Sequence, residues 1–495
     1  MRVSRWLPWV AFSASCLLAH ISTETQAGDS PAGAVLRLPW VQVVPRSEEA
    51  ATVVFVTRII NRGDSAIQSP RINLHAPIAL PHQTITKLEV DGKAEQLTDR
   101  WGSPVLVYRQ EELAPHATLT GRWAAWAAIR QFRWDLRRPM NPGAAALSAE
   151  ERDLYLRDAE YFVLQDPAVR ATAGQATAGR QGDAAVLDGI FALVMDRLTY
   201  DRDGKWQPAP QVLASGKGSC SEYSYLFIAL CRSCGIPTRY VGGIVGRPGR
   251  SRSELPLAPK STQSSNTGPD GSVGQANSPF HVDRVFHRFP QAFVPGIGWV
   301  DFDPTRTDRA NDKRLYFGRT PGPMLLTCVG DGGPGSLTGW DYLTSHAWQG
   351  QKAKASAVRM AWWFPPPPPK VRQQVAEFRR RLASAPAEQR LTLVQRALAI
   401  AHPFVLPWLD DLLYEPAPRV AAAHACLKIG GQGELAAVVN CLGRLDDATG
   451  DRQIGQLLDE VTGQQFGPDR RKWEEWLKTR TPRTPLPDDK PESKP

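Results

Sequence analysis

Five consecutive prolines, Pro365 to Pro369, place the strongest single constraint on this chain. Proline has no backbone N–H and a fixed φ, so no helix and no interior strand runs through such a stretch. It reads as a stiff polyproline linker over 365–369. The hydrophobic period differs on its two sides. Ahead of it, residues 28–140 carry alternating, β-branched runs such as "ATVVFVTRIINRGDS", "KLEVDGKAEQL" and "SPVLVYRQ". Asn-Arg-Gly-Asp and Asp-Gly turns separate them, which is the pattern of an all-β sandwich. Beyond the prolines, residues 370–480 turn helical, with short helices parted by Gly and Pro that suggest stacked antiparallel pairs. The tail 481–495 is rich in Pro and Lys and reads as disordered.

Between these lies a mixed segment, 141–364. Ser148 with Glu151 forms a capping-box pattern. A helix after Asp183 places Val186, Leu187, Ile190, Phe191, Val194 and Leu198 on one apolar face. Residues 247–279, rich in Ser, Gly and Pro, read as a flexible insertion. The whole is an α+β multidomain chain, and 495 residues hold about three domains on the usual scale.

Arg62-Gly63-Asp64 spells a cell-adhesion tripeptide, but Asn61 to Asp64 is what a hairpin turn uses anyway. The run "GRWAAWAAIRQFRWDLRR" sets Trp123, Trp126 and Trp134 among arginines; aromatic strands with solvated Arg between them explain it better than a polymer-binding face. The formal charge of +9 is modest for this length and does not point to nucleic acid.

The first residues, "MRVSRWLPWVAFSASCLLAHISTETQAGDS", run from Arg2 and Arg5 through an uncharged apolar stretch to "TQA". That order is a secretory signal over 1–27 with cleavage after Ala27; an uncleaved membrane anchor is the rival. The mature chain is expected outside the cytoplasm, periplasmic or secreted. Of seven cysteines, losing Cys16 leaves six, few for a disulfide scaffold and compatible with a free catalytic thiol.

Three of those cysteines fall in "SGKGSCSEYSYLFIALCRSCGIPTRY", residues 215–240. Ser219 is a suitable N-cap, and Gly235 with Pro237 a stop signal. Tyr223, Leu226, Phe227, Leu230, Cys231 and Cys234 recur at steps of three and four, so Cys231 and Cys234 lie on the buried stripe as small hydrophobes. Zinc wants two more soft ligands, and no second Cys-x-x-Cys exists. Cys220 differs. In the first turn the unpaired N–H groups and the helix dipole favour its thiolate.

Gly218-Ser219-Cys220, "ALCRSCGIPTRYVGG" and "HRFPQAFVPGIGWVDFDPT" together resemble the transglutaminase-like family, which has a papain-like cysteine fold. Carried over position by position, its Cys, His and Asp fall on Cys220, His287 and Asp303. The family's His-Ala-Trp-Ala-Glu is His287-Arg288-Phe289-Pro290-Gln291 here, and Pro290 predicts an edge or locally broken strand. If Pro295-Gly296-Ile297 is a three-residue hairpin loop, 294 pairs with 298 and 287 with 305. Asp303 is then a same-face diagonal neighbour of His287, about 7–8 Å away between backbones. His281, the competing base, lacks a suitably spaced carboxylate. Separately, "YEPAPRVAAAHACLKIG" resembles the second helix of a HEAT-type repeat.

The resemblance implies thiol acyl transfer on protein or peptide amides, Gln side chains or backbone, through a thioester, as a peptidase/amidase or a crosslinking acyltransferase. The oxyanion is expected at the Cys220 N–H plus Tyr200 or Trp206. Neither metal nor organic cofactor is called for. A protein partner is expected for the C-terminal helices, and the membrane enters only if the leader is uncleaved. A non-catalytic adhesion or scaffold protein with an idle triad is the alternative.

Overall fold

A computed structural model describes residues 41–45, 47–136, 146–201, 206–246, 286–308, 310, 312–350 and 355–479. The leader at 1–27, the insertion at 247–279, His281 and the tail 481–495 lie outside the described residues. Strands lead the chain: β1 (Val41–Val43), β2 (Glu49–Asn61), β3 (Ile67–His75), β4 (Gln83–Asp91), β5 (Glu95–Thr98), β6 (Pro104–Arg109), β7 (Glu112–Leu113), β8 (Thr118–Ile129) and β9 (Phe132–Trp134). Between β2 and β3 the Gly63 N–H donates to Asn61 Oδ1 at 3.0 Å, so the adhesion-like tripeptide begins in an Asx turn.

The middle of the chain supplies α1 (Ala149–Leu156), α2 (Pro167–Thr177), α3 (Asp183–Arg197), β10 (Thr199–Tyr200), α4 (Ala209–Ser215), β11 (Lys217–Gly218) and α5 (Cys220–Ser233). Then come β12 (Thr238–Val245), β13 (Phe286–Val294), β14 (Gly298–Asp301), α6 (Pro304–Asp308), β15 (Met324–Gly330), β16 (Thr344–Gln349) and β17 (Ala355–Phe364). The expected capping box of Ser148 and Glu151 opens α1.

Two antiparallel sheets are built around the leading strands, ordered β17-β2-β8-β4 and β16-β3-β6-β5, with β7 beside β3. Their last strands, β16 and β17, come from 344–364, a stretch the sequence assigns to the middle segment. Alternation in "AVRMAWWF" marks a strand but cannot name its partner; the partner is β2, over ten consecutive residue pairs.

Successive side chains on a strand face opposite ways, and β2 is buried on both faces. Val53, Phe55 and Ile59 join a core shared with β3, β6 and β8. Val54, Val56 and Ile60 join a second core, built with the C-terminal helices α7 (Pro369–Ser384), α8 (Ala387–Ile400), α9 (Leu406–Leu409), α10 (Arg419–Gly430), α11 (Leu435–Cys441), α12 (Ala448–Thr462) and α13 (Arg470–Thr479). The proline run is correspondingly short in effect. β17 ends at Phe364 and α7 begins at Pro369, where a missing N–H costs nothing. The run turns the chain from the sheet straight onto the helices that cover it.

That second face corrects the expectation of solvated arginines at Arg122, while Arg133 is exposed as expected. Arg58 is fully buried, 2.7 Å from the equally buried Asp410 and 2.5 Å from Asp411. Arg122 reaches Asp411 at 2.5 Å and Asp91 at 3.0 Å, and the Trp408 indole donates to Asp91 at 2.7 Å. Trp126 is buried on this face and Trp123 on the opposite one, so neither belongs to an exposed binding face.

The third sheet, β14-β13-β12-β15, carries α5 against β12 and β13. β13 runs unbroken from Phe286 to Val294 with β12 along one side, but β14 pairs only Gln291 to Val294 on the other, so Pro290 stands at a local edge. The Pro290 carbonyl accepts from Phe302 N–H at 3.0 Å on the other side. Pro290 has no N–H to return that bond to the Phe302 carbonyl, and the paired stretch of β13 and β14 ends there.

Removing one partner of a buried ion pair leaves an uncompensated charge. Arg58→Ala should therefore lower stability by about 3–5 kcal/mol in urea unfolding. Arg109→Ala, which breaks a largely exposed pair with Glu95, should leave the unfolding midpoint in place.

Candidate active site

The site starts at a turn that glycine makes possible. Gly216 ends α4 with φ +64°, in the left-handed region. At Gly218 a Cβ would lie 2.3 Å from that of Glu222, so only glycine fits ahead of the nucleophile position. Ser219 then caps α5 through a full capping box. Its N–H donates to Glu222 Oε2 at 2.8 Å, and its Oγ accepts from Ser221 N–H at 3.4 Å. The signature Ser219-x-x-Glu222 was legible in the sequence, though only Ser219 was singled out. Ser224 Oγ donates to the Cys220 carbonyl at 2.7 Å and ties down the first turn.

Cys220 is the first helical residue and is half-buried. Burial would raise its thiol; the His287 ring hydrogen-bonded to the sulfur, the Arg288 charge and the Arg288 backbone together outweigh that and bring it below the ordinary value. The other thiols go the opposite way. Cys231 is fully buried and raised by burial, and Cys234, half-buried at the helix end rather than on the sealed face, is raised for the same reason. No disulfide pairs any of the described cysteines. Among the described residues no group of three His, Cys, Asp or Glu side chains could hold a metal, and no helix is long and apolar enough to cross a membrane.

His287 Nε2–H donates to Asp303 Oδ2 at 2.6 Å, which leaves Nδ1 for the sulfur. Burial disfavours the charged ring, but Asp303 and Cys220 more than offset it and raise the imidazole to about 9. The hairpin has the expected three-residue loop, with Val294 opposite Gly298 and Gln291 opposite Asp301. The ladder stops before the expected pairing of 287 with 305, because the chain leaves the sheet for α6. Asp303 begins that helix: its Oδ1 accepts the Arg306 N–H at 2.9 Å while Oδ2 holds the imidazole.

The two expected oxyanion donors are placed differently. Tyr200 lies opposite Gly218 in the short parallel pair of β10 and β11, with its N–H 3.3 Å from Asp308. Trp206 lies with its ring 5.3 Å from the Arg288 guanidinium, next to Gln207, whose N–H donates to Glu222 at 3.3 Å. Arg288 itself was passed over in the sequence. Every residue of β13 is buried, Arg288 included, but that burial is set by segments distant in the chain and leaves no local signal.

Asp303→Asn should remove the raised titration of His287, seen by NMR as an imidazole midpoint falling from about 9 toward its ordinary value of 6.5. The folded ring binds its proton more tightly than the unfolded one. Its contribution to stability is therefore complete below pH about 6.5 and lost as pH rises through about 9, so the stability gap between wild type and Asp303→Asn should close over that window.

Residues 170–304 match the Transglutaminase-like superfamily. No curated protein matches the chain. Among solved structures it is similar to a candidate cysteine protease from Cytophaga hutchinsonii, at 15% identity over 66% of this chain and 93% of that one, with a TM-score of 0.43. It is also similar to the periplasmic domain of TgpA from Pseudomonas aeruginosa, at 15% identity over 57% of this chain and 97% of that one, with a TM-score of 0.27. Residues 170–304 thus carry a transglutaminase-like domain, and Cys220, His287 and Asp303 all fall within it.

Proposed function

We propose that this protein is an extracytoplasmic cysteine enzyme that transfers acyl groups from protein or peptide amides through a thioester on Cys220. One observation carries the reading: the His287 ring stands between the Cys220 sulfur and the Asp303 carboxylate, at the start of α5. The location rests on the leader at 1–27.

The sulfur attacks the amide carbon, a C–S bond forms, and the carbonyl electron pair moves onto oxygen. The Cys220 N–H at the helix start, with Tyr200 or Trp206, meets that oxyanion. The C–N bond then breaks while His287 gives its proton to the departing amine, leaving the thioester. Asp303 keeps the ring aimed and offsets its charge. In the second half His287 takes a proton from the acceptor. Water yields the acid and a primary amine yields a new amide, so peptidase, amidase and crosslinking outcomes share one machinery.

The reading of 370–480 as a HEAT-like module belongs to the proposal. Its helices contact in the order α7 with α8, α8 with α10, and α10 with α12, as stacked pairs do. One side of the stack is taken by the β2 sheet, and the opposite side is the one offered to a protein partner.

Incubation with a glutamine-containing protein and a tagged primary amine, scored for tag incorporation, ammonia release and chain cleavage, tests the chemistry. Cys220→Ala should abolish every product, and His287→Ala should slow the reaction by about 10²–10⁴-fold. Products that persist in Cys220→Ala, or none from a broad set of protein and peptide amides, would instead favour an adhesion or scaffold protein with an idle triad.

A further inference from the structure

Arg288 is fully buried, yet among the described residues it has no carboxylate in ion-pair reach. Its guanidinium donates to the Tyr225 hydroxyl and the Trp340 carbonyl. It lies over four rings: Tyr240 at 4.3 Å, Tyr342 at 4.5 Å, and Tyr225 and Trp206 both at 5.3 Å. Its Nε is buried with no acceptor among the described residues. The other fully buried arginines are paired in the usual way, Arg58 with Asp410 and Arg419 with Asp447 and Asp451. A guanidinium with no carboxylate partner in a buried aromatic cage is costly, and aromatic faces offset only part of that cost. One further group beside it can carry a full negative charge, the Cys220 sulfur, which also lies against the Arg288 backbone N–H.

We propose that Arg288 is the buried counterion of the Cys220 thiolate, a positioning residue that holds the sulfur charged independently of His287. The inference rests on the reading of Cys220 as nucleophile and adds a second cation to it. The site then balances as two cations and two anions: Arg288 with the sulfur, His287 with Asp303. The other groups facing the sulfur do not replace it. Glu222, on the same helix, is engaged with Ser219 and is raised by burial, which leaves it a weaker anion. Tyr342, from the segment before β16, is a neutral phenol raised well above its usual value, and the nearby Asp341 is paired with Arg359 at 2.6 Å. The cage explains why a residue as large as arginine is tolerated next to His287. Gly242 lies opposite it on β12, where a Cβ would strike the Tyr342 ring at 2.4 Å.

The test is the pH dependence of Cys220 alkylation by iodoacetamide in the full chain, for wild type, R288Q, R288K and H287A, with circular dichroism as the check on folding. R288Q should move the midpoint upward by about one pH unit or more, which is about tenfold less thiolate below the midpoint. R288K, which keeps the charge, should restore most of it. A folded R288Q whose midpoint coincides with wild type overturns the proposal. If R288Q does not fold, H287A decides. With the imidazole gone, the sulfur should still titrate below a free cysteine's value of about 8.5, and a midpoint at or above it overturns the proposal. Failure of the acyl-transfer assay would leave these midpoints unchanged, so the two readings stand or fall separately.

Discussion

One carboxylate holds the site together. Asp303 spends one oxygen on the Arg306 N–H in the first turn of α6 and the other on the His287 imidazole. Because the helix fixes the first oxygen, the second has a fixed position too, and the ring it grips cannot swing away from the sulfur. A carboxylate on a plain strand would have had rotational freedom to lose. Leaving the sheet after Asp301 is what gives this Asp its cap geometry, so the end of the β13–β14 ladder is part of how the site is built.

Much of the site was legible in residue order. Gly218-Ser219-Cys220 marked a helix start, and the loop Pro295-Gly296-Ile297 set the register of Val294 on Gly298, though Asp303 meets His287 from the start of α6 and not across the ladder. Short-range chemistry set those features: a cap, a turn, a stripe. What escaped were features set at long range. The burial of Arg58, Arg122 and Arg288 depends on which segments arrive from elsewhere, and a charge in an apolar run looks the same whether solvent or carboxylate faces it. The ownership of β16 and β17 was hidden for the same reason, since alternation gives a strand's faces and not its neighbours.

The sheet of β17, β2, β8 and β4 also changes what the proline run means. A polyproline stretch keeps domains apart when both ends are free. Here Phe364 is locked in the sheet, Pro369 starts a helix lying on that sheet, and half-buried Arg379 of that helix pairs with Glu89 and Asp91 of β4. The rigidity of the run then fixes the entry angle of α7, and the C-terminal helices are bound to the β layer as one core.

A buried counterion beside the sulfur has a consequence for the chemistry that goes past thiolate content. Lowering a thiol from about 8.5 to about 6.5 raises its charged fraction at neutral pH about 25-fold, while intrinsic nucleophilicity falls about 8-fold for a Brønsted slope near 0.45. The net gain in attack is about threefold, and lowering the thiol further gains nothing there. A stabilised sulfur is also a better leaving group, so a tetrahedral adduct tends to collapse back to substrate unless the nitrogen is protonated first. In the proposed mechanism the ring that supplies that proton is His287, which Asp303 raises to about 9. In that mechanism Arg288 on the sulfur and Asp303 on the imidazole therefore need each other: the first makes reversal easy, and the second keeps the imidazolium protonated and in place for the departing nitrogen.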